Sequence, residues 1–242
     1  MNMILLEPGQ CREGEPVALD PRQSAHVLGV LHPRPGDSLR VGVVGGRRGS
    51  ARVLGAADGL VTLAPPELDA TPPRPWFDLI LAMPRPKVLH RLWAPMASLG
   101  VRRIYLTNAA KVEKFYFDSH WLSEATYGPL LREGLEQSCT TALPEVEIVR
   151  LFRPFIEDVV PVAHGDAPKF VAHPGASAPA PRFSRDPAPG AALPLIAVGP
   201  EGGWTDFELA LLETSGFCRL SLGPRPLRTG VALCAIAGAI GE

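Results

Sequence analysis

The sequence feature that most constrains the fold of this 242-residue chain lies at residues 195–208. There an apolar strand leads through a glycine-rich loop directly into a helix. Residues 195–198 are apolar and residues 199–203 read Gly-Pro-Glu-Gly-Gly. Thr205 and Glu208 have the spacing of a capping box, and Gly216 stands where the helix should end. A loop between a strand's carboxyl end and a helix's amino end exposes backbone N–H groups to a ligand.

The same order of strand, Gly-Pro turn and helix returns at residues 220–229, before a last helix from Thr229 to about Ile240. Either Gly-Pro pair alone is explained by an ordinary turn. The two in succession favour a shared ligand cradle, opened by Gly199 and Gly223. The last helix consists of small and apolar residues, which predicts burial inside the domain or at a subunit contact.

Strands and helices alternate from Trp76 onwards. We predict strands at residues 77–82 and 103–107 and helices at residues 88–99 and about 122–139. This alternation is typical of an α/β fold with a largely parallel sheet. Residues 175–194, rich in Ala, Pro and Ser, are expected to form an irregular surface loop.

The first seventy residues show a different, β-rich pattern. A helix is predicted over residues 22–31, followed by short strands at 38–44, 50–54 and 60–63 that are separated by Gly45-Gly46 and Asp58-Gly59. The stretch 65–75 is too rich in proline for a helix or a central strand. We therefore predict two domains, residues 1–70 and 76–242.

Bulk properties limit the possible functions. The formal net charge is -1, so any nucleic-acid surface must be a local cluster of cations. The four cysteines lack Cys-x-x-Cys spacing and are interpreted as reduced thiols. Dinucleotide, phosphate-loop and zinc-protease motifs are absent from the sequence, which disfavours an oxidoreductase, and no metal site is expected. The chain has no charged leader or long apolar run, so we expect a cytoplasmic protein.

The motifs at residues 198–203 and 222–229 resemble those of the bacterial ribosomal RNA uridine-N3 methyltransferases, the RsmE family of the SPOUT superfamily. Weaker similarity extends over most of the chain, including residues 99–101, 136–138, 144–146 and 173–174. The resemblance implies a PUA-like β-barrel that helps to hold RNA, then a SPOUT domain whose C-terminal trefoil knot binds S-adenosylmethionine (SAM). It also implies a homodimer that acts on 16S rRNA of the small ribosomal subunit.

Carried over by position, the resemblance implies a cofactor pocket formed by three segments. Its expected residues are His173, Pro174, Val198, Gly199, Pro200, Glu201, Gly202, Gly203, Ser221, Leu222, Gly223, Leu227, Arg228 and Thr229. The sequence departs from the family pattern in three places. Gly230 stands where a glutamate is usual, Pro95 and Ser98 replace a lysine and a glutamate, and Cys139-Thr140 replaces Gly-Arg.

Methylation at uridine N3 requires that the base lose a proton and meet the methyl group in line. Arg228 is our first catalytic candidate, because a guanidinium could stabilise the negative charge that develops on the base. A purely structural role for Arg228 in clamping the knot is the alternative. Glu201 is the second candidate, although a carboxylate beside a helix start is often only a dipole partner.

RNA contacts are expected from clustered cations on projecting features. The candidates are Arg34, Arg47, Arg48, Arg85, Lys87 and Arg91, each of which, taken alone, is better explained as a solvated charge. Two rival functions stay open: an RNA-binding homologue that has lost catalysis, which the glycine at position 230 makes plausible, and a SPOUT enzyme for another RNA.

Overall fold

A computed structural model describes residues 2–174 and 181–242, which form two compact units. The first unit comprises Met1–Pro73 together with Arg132–Leu143, and the second comprises Arg74–Leu131 and Pro144–Glu242. The first boundary between the units, at Pro73–Arg74, falls within the proline-rich stretch. Arg132–Leu143 belong to the first unit, whereas the division predicted from the sequence places them in the range 76–242.

The first unit is built on a six-stranded sheet. Its elements are β1 (Ile4–Leu6), β2 (Val17–Ala18), α1 (Pro21–His26), β3 (Ser38–Val43), β4 (Arg48–Ala57), β5 (Leu60–Leu63) and β6 (Glu67–Ala70). The strand order is β1-β3-β4-β5-β2, and β6 pairs with β4. The predicted helix and three predicted strands are confirmed, and a π-helical turn at Val27–Leu31 extends α1. β6 lies within the proline-rich stretch and occupies an edge, where proline-flanked strands are tolerated.

Local sequence explains these elements. Asp20 caps α1 by accepting a hydrogen bond from the Gln23 N–H, and Pro21 occupies the first helical position. Asp58 and Gly59 have φ values of 52° and 77°, as a tight turn between β4 and β5 requires. At Gly49, a Cβ would lie 1.8 Å from the Glu67 carbonyl oxygen, so only glycine lets β6 approach β4 there.

The second unit is built on a six-stranded parallel sheet with helices between the strands. In chain order its elements are β7 (Phe77–Ala82), α2 (Pro86–Ser98), β8 (Val101–Thr107), α3 (Glu124–Ser138), β9 (Glu145–Val149), α4 (Phe152–Pro154), α5 (Val160–Ala163), β10 (Lys169–Ala172), β11 (Leu195–Val198), α6 (Asp206–Thr214), β12 (Phe217–Leu220) and α7 (Thr229–Ile240). The C-terminal part of α3 belongs to the first unit. The predicted strands and helices are confirmed to within a few residues.

Strand order in this sheet is β12-β10-β11-β7-β8-β9, and every pairing is parallel. β7 and β11 are buried along their whole length, as expected for strands covered on both faces. Because β10 lies between β11 and β12, the loops that leave the carboxyl ends of these three strands are neighbours. The sheet therefore brings together segments that are far apart in the sequence.

The loop expected at residues 175–194 falls partly outside the described residues, since 175–180 are not among them. Residues 181–194 are irregular and mostly exposed, as predicted, apart from a bridge between Phe183 and Gly241. All four cysteines are free thiols. In the described part of the chain, no helix is long and apolar enough to cross a membrane.

A buried polar network lies near the amino ends of β7 and β8. Asp78 is fully buried and accepts two hydrogen bonds from the Arg102 guanidinium, one of them 2.9 Å from Nε. Nδ1 of His164 lies 3.5 Å from the Asp78 carboxylate, and its Nε2 lies 2.9 Å from the Tyr105 hydroxyl. Burial lowers the pKa of His164 below its ordinary value, more strongly than Asp78 raises it. The ring is therefore neutral in the folded protein near pH 7.

Candidate active site

A cavity of about 450 Å³ opens at the carboxyl ends of β10, β11 and β12. Its volume lies in the range usual for small-molecule and cofactor sites. Glycine, proline and apolar side chains form most of its wall. The lining residues are Ala172, His173, Pro174, Val198, Gly199, Pro200, Glu201, Gly202, Gly203, Trp204, Leu222, Gly223, Arg225, Pro226, Leu227, Arg228, Thr229 and Ala232.

The loop after β11 forms the first wall and folds as a tight turn. The N–H of Gly203 donates to the Pro200 carbonyl over 2.8 Å, and Gly203 has a φ of 69°, which glycine adopts without strain. At Gly199, a Cβ would lie 3.1 Å from Nε1 of Trp204, so the indole packs directly on the backbone. Trp204 is itself buried and stacks on Phe152, which fixes the inner end of the loop.

Helix α6 starts immediately behind this loop. The predicted capping box is confirmed, because Thr205 Oγ1 accepts from the Glu208 N–H while the Glu208 carboxylate accepts from the Thr205 N–H. Glu208 is buried, and its other oxygen accepts a 2.7 Å hydrogen bond from the N–H of Ala110. Glu208 therefore connects the start of α6 to the loop after β8.

Two further hydrogen bonds attach the turn at residues 200–203 to neighbouring segments. A Glu201 carboxylate oxygen accepts from the N–H of Arg85, the residue that precedes α2, over 3.1 Å. Nζ of Lys111 donates to the Gly202 carbonyl over 2.8 Å. Glu201 therefore accepts a hydrogen bond at the start of α2.

The loop after β12 forms the opposite wall. Gly223 has a φ of 93°, and its N–H donates to the Ser221 hydroxyl over 3.2 Å. Residues 223–228 are exposed, and the chain becomes buried again at Thr229, where α7 begins. Ser221 does not line the cavity, so its contribution is to support the turn at Gly223.

Every other predicted cofactor residue lines this one cavity. The two glycine loops thus meet, as predicted from the sequence. Five lining residues are not named in that set: Arg225 and Pro226 fall within the predicted segment 221–229, and Ala172, Trp204 and Ala232 lie outside the predicted residues. Ala172 and Trp204 adjoin predicted segments, and Ala232 lies one helical turn after Thr229, so helical spacing from that threonine could have identified it.

Arg228 has a free guanidinium at the cavity. Its side chain is exposed and makes no hydrogen bond or ion pair with any residue that the structure describes. It occupies the N-cap position of α7, and its side chain does not cap the helix. The group is therefore available to a ligand.

The predicted RNA-binding cations divide between the two units. In the first unit Arg34 is exposed, Arg47 donates to the Asp69 carbonyl, and Arg48 donates to the Cys139 carbonyl over 2.8 Å. In the second unit Arg85, Lys87 and Arg91 are exposed at the start of α2. Arg48 is half-buried and already engaged, whereas the three on α2 present their charges to solvent.

Gly230 has a packing role that the sequence did not reveal. A Cβ at this position would lie 3.1 Å from Cδ2 of Leu92 on α2. The space where a larger side chain would start is therefore occupied by Leu92. In the described residues, no three His, Cys, Asp or Glu side chains come together as a metal site.

Comparison with known families matches residues 72–241 to the RNA methyltransferase domain. The chain belongs to the RNA methyltransferase family. Relatives named ribosomal RNA small subunit methyltransferase E include one from Treponema pallidum, which is 28% identical over 99% of this chain and 90% of the relative. One from Synechocystis is 26% identical over 95% of this chain and 73% of the relative. These matches confirm the resemblance to the RsmE family.

Solved structures agree with this RNA methyltransferase fold. A ribosomal RNA small subunit methyltransferase E from Neisseria gonorrhoeae, bound to SAM, superposes with a TM-score of 0.74 at 22% identity, covering 98% of this chain and 96% of that one. A protein from Legionella pneumophila in complex with SAM gives a TM-score of 0.70 at 22% identity, with coverage of 98% and 95%. The α/β methyltransferase fold is therefore confirmed.

Proposed function

We propose that this protein is a SAM-dependent methyltransferase that modifies N3 of a uridine in 16S rRNA. The observation that carries the proposal is the convergence of the loops after β10, β11 and β12 on one cavity. Membership of the RNA methyltransferase family and the SAM-bound proteins of the same fold support the choice of cofactor. The relatives' names support ribosomal RNA as the substrate.

The cavity fits such a cofactor chemically. Glycines at positions 199, 202, 203 and 223 allow the backbone to come close to a ligand, and the apolar wall suits the faces of an adenine ring. The expected cofactor residues are those predicted from the sequence other than Ser221, together with Ala172, Trp204, Arg225, Pro226 and Ala232. SAM bound there would supply an electrophilic methyl group on a sulfonium leaving group.

The protein's own residues would act mainly by position and charge. Loss of the N3 proton to solvent would leave negative charge shared by N3 and the neighbouring carbonyl oxygens of the base, and transfer of the methyl group to N3 would then neutralise that charge. The free guanidinium of Arg228 would stabilise that charge. Glu201, held by the Arg85 N–H, would orient the loop and remains the second catalytic candidate.

Three finer features belong to the same proposal. The C-terminal segment from β10 to α7 would form the trefoil knot, and the first unit would be the PUA-like RNA-binding barrel, with cations Arg34, Arg47 and Arg48. The enzyme would act as a homodimer in the cytoplasm. In support of a dimer, α7 leaves Val231 55% exposed, although most of this helix is apolar.

Three measurements test the proposal. Calorimetry should detect binding of SAM, and purified protein should transfer a labelled methyl group to 16S rRNA or to small subunits. Mass spectrometry of RNA from a deletion strain should show the loss of one N3-methyluridine.

SAM binding without turnover on any RNA would favour the catalytically inactive homologue, and a lost methyl group in transfer RNA or large-subunit RNA would favour another target. Absence of SAM binding would refute the proposal.

RNA affinity should also depend on salt. Phosphate contacts release counterions, so affinity for 16S rRNA should fall as salt concentration rises. Replacement of Arg85, Lys87 and Arg91 by alanine should weaken the binding and reduce this dependence. An affinity that does not change with salt would exclude this basic patch from RNA binding.

A further inference from the structure

Lys111, in the loop after β8, is the side chain that reaches across to the glycine loop of the cavity. Its Nζ donates to the Gly202 carbonyl over 2.8 Å. Its alkyl chain covers the same residue, because a Cβ at Gly202 would lie 3.0 Å from Cδ and 3.2 Å from Cβ of Lys111. Lys111 is not a lining residue of the cavity, so it acts on the site only through this contact.

One peptide group of the glycine loop is held by hydrogen bonds at both its carbonyl and its N–H. The peptide that joins Gly202 to Gly203 has its carbonyl held by Lys111 and its N–H held by the Pro200 carbonyl. A peptide plane fixed at both ends sets the orientation of the residues on either side of it. Gly203 is held in this way at its positive φ.

The loop that carries Lys111 is anchored independently. The Ala110 N–H, one residue before Lys111, donates to the buried carboxylate of Glu208 over 2.7 Å. The same carboxylate caps α6, which begins just after the glycine loop. The loop after β8 is therefore attached at two points, to the glycine loop at Gly202 by Lys111 and to the start of α6 by Glu208.

We propose that Lys111 is a positioning residue that presets the Gly202–Gly203 peptide for cofactor binding. This inference rests on the proposed function, because it takes SAM as the ligand of the cavity. A loop that is ordered before binding loses less conformational entropy when the ligand arrives. Lys111 should thus lower the dissociation constant and the KM for SAM and leave the methyl-transfer step almost unchanged.

Lys111→Met tests the hydrogen bond alone, since methionine keeps an unbranched side chain over Gly202 and removes the donor. A single hydrogen bond usually contributes an amount equivalent to about 3- to 10-fold in affinity, and we expect the KM and the dissociation constant for SAM to rise by that factor. Single-turnover transfer at saturating SAM should stay within about twofold. Lys111→Arg keeps a donor and should restore most of the affinity.

Gly202→Ala provides a second and independent test. The added methyl group would displace the Lys111 side chain, so this variant should also weaken SAM binding. In the Lys111→Ala background that obstacle is absent. Gly202→Ala should then reduce the affinity for SAM by a clearly smaller factor than it does in the wild type. Such non-additivity is expected for residues in direct contact.

Amide hydrogen exchange gives a readout without any cofactor. In Lys111→Met the Gly203 amide should exchange faster, while amides in the core strands β7 and β11 keep their protection. If wild-type protein fails to bind SAM, the proposed function fails, and the exchange result still decides whether Lys111 orders the loop. Unchanged SAM affinity in Lys111→Met, or a rise confined to the KM for RNA, would overturn the proposal.

Discussion

Replacement of Arg228 by alanine separates catalysis from binding in this site. The Arg228 side chain is exposed, does not cap α7, and has no hydrogen bond or ion pair with a described residue. Its removal should therefore change the free energy of unfolding by no more than about 0.5 kcal/mol. The cofactor cradle consists mainly of backbone and glycine, so SAM affinity should stay within about threefold, or roughly 0.7 kcal/mol.

The methyl-transfer rate should respond very differently. Loss of one preorganised donor opposite a developing negative charge typically lowers the rate constant by about 10²- to 10³-fold, which corresponds to about 2.7–4 kcal/mol. Single-turnover transfer of a labelled methyl group to 16S rRNA, with SAM and RNA both saturating, measures this step. Arg228→Lys should recover part of the rate, because it keeps the charge and loses the planar donor pair.

Arg225→Ala is the matched control, since Arg225 also lines the cavity and is exposed. We expect it to lower the single-turnover rate by less than about tenfold, an effect of up to roughly 1.4 kcal/mol. A rate for Arg228→Ala above one third of the wild-type rate would refute the catalytic role. A lower melting temperature together with lost SAM affinity would instead support the structural clamp.

Three further predictions concern stability. Burial lowers the pKa of His164, so the unfolded chain binds a proton at this residue more readily than the folded protein does. The contribution of His164 to the free energy of unfolding should therefore be fully present above about pH 6.5 and should decrease as the pH falls below that value. Gly230→Ala should change the free energy of unfolding by less than about 0.5 kcal/mol, because the gain in helix propensity is offset by crowding against Leu92. Trp204→Phe should lower the free energy of unfolding by less than about 1.5 kcal/mol, and Trp204→Ala should lower it by about 3–5 kcal/mol. The difference is expected because the aromatic ring packs against Phe152, while the indole N–H has no hydrogen-bond partner among the described residues.

Each of these has a direct check. Melting temperatures between pH 7.5 and 5.5 should fall less steeply in His164→Gln than in the wild type, and equal slopes would exclude His164. Gly230→Ala should become stabilising in the Leu92→Ala background, and the same value in both backgrounds would contradict the crowding argument. Chemical denaturation should show a clearly larger loss of unfolding free energy for Trp204→Ala than for Trp204→Phe. Equal losses in the two variants would mean that the indole N–H contributes to stability.

Local sequence signals predicted the elements well. Apolar runs located β7 and β11, Thr205 and Glu208 located the start of α6, and Asp58-Gly59 located the turn between β4 and β5. Each of these signals acts over a few residues, through burial periodicity, capping or a positive φ. The succession of two Gly-Pro loops predicted one shared cradle, and the family resemblance added residues 173–174 to it.

Long-range contacts could not be predicted in this way. The hydrogen bonds from Lys111 to Gly202 and from Ala110 to Glu208 join residues 91 and 98 positions apart, and Leu92 on α2 lies against Gly230 on α7. No local pattern marks these residues as partners, because the strand order β12-β10-β11-β7-β8-β9 alone makes them neighbours. The sequence by itself thus determined the elements and the chemistry of the glycine loops. The tertiary structure decided which side chains hold those loops in place, since that depends on how parallel strands are ordered in the sheet.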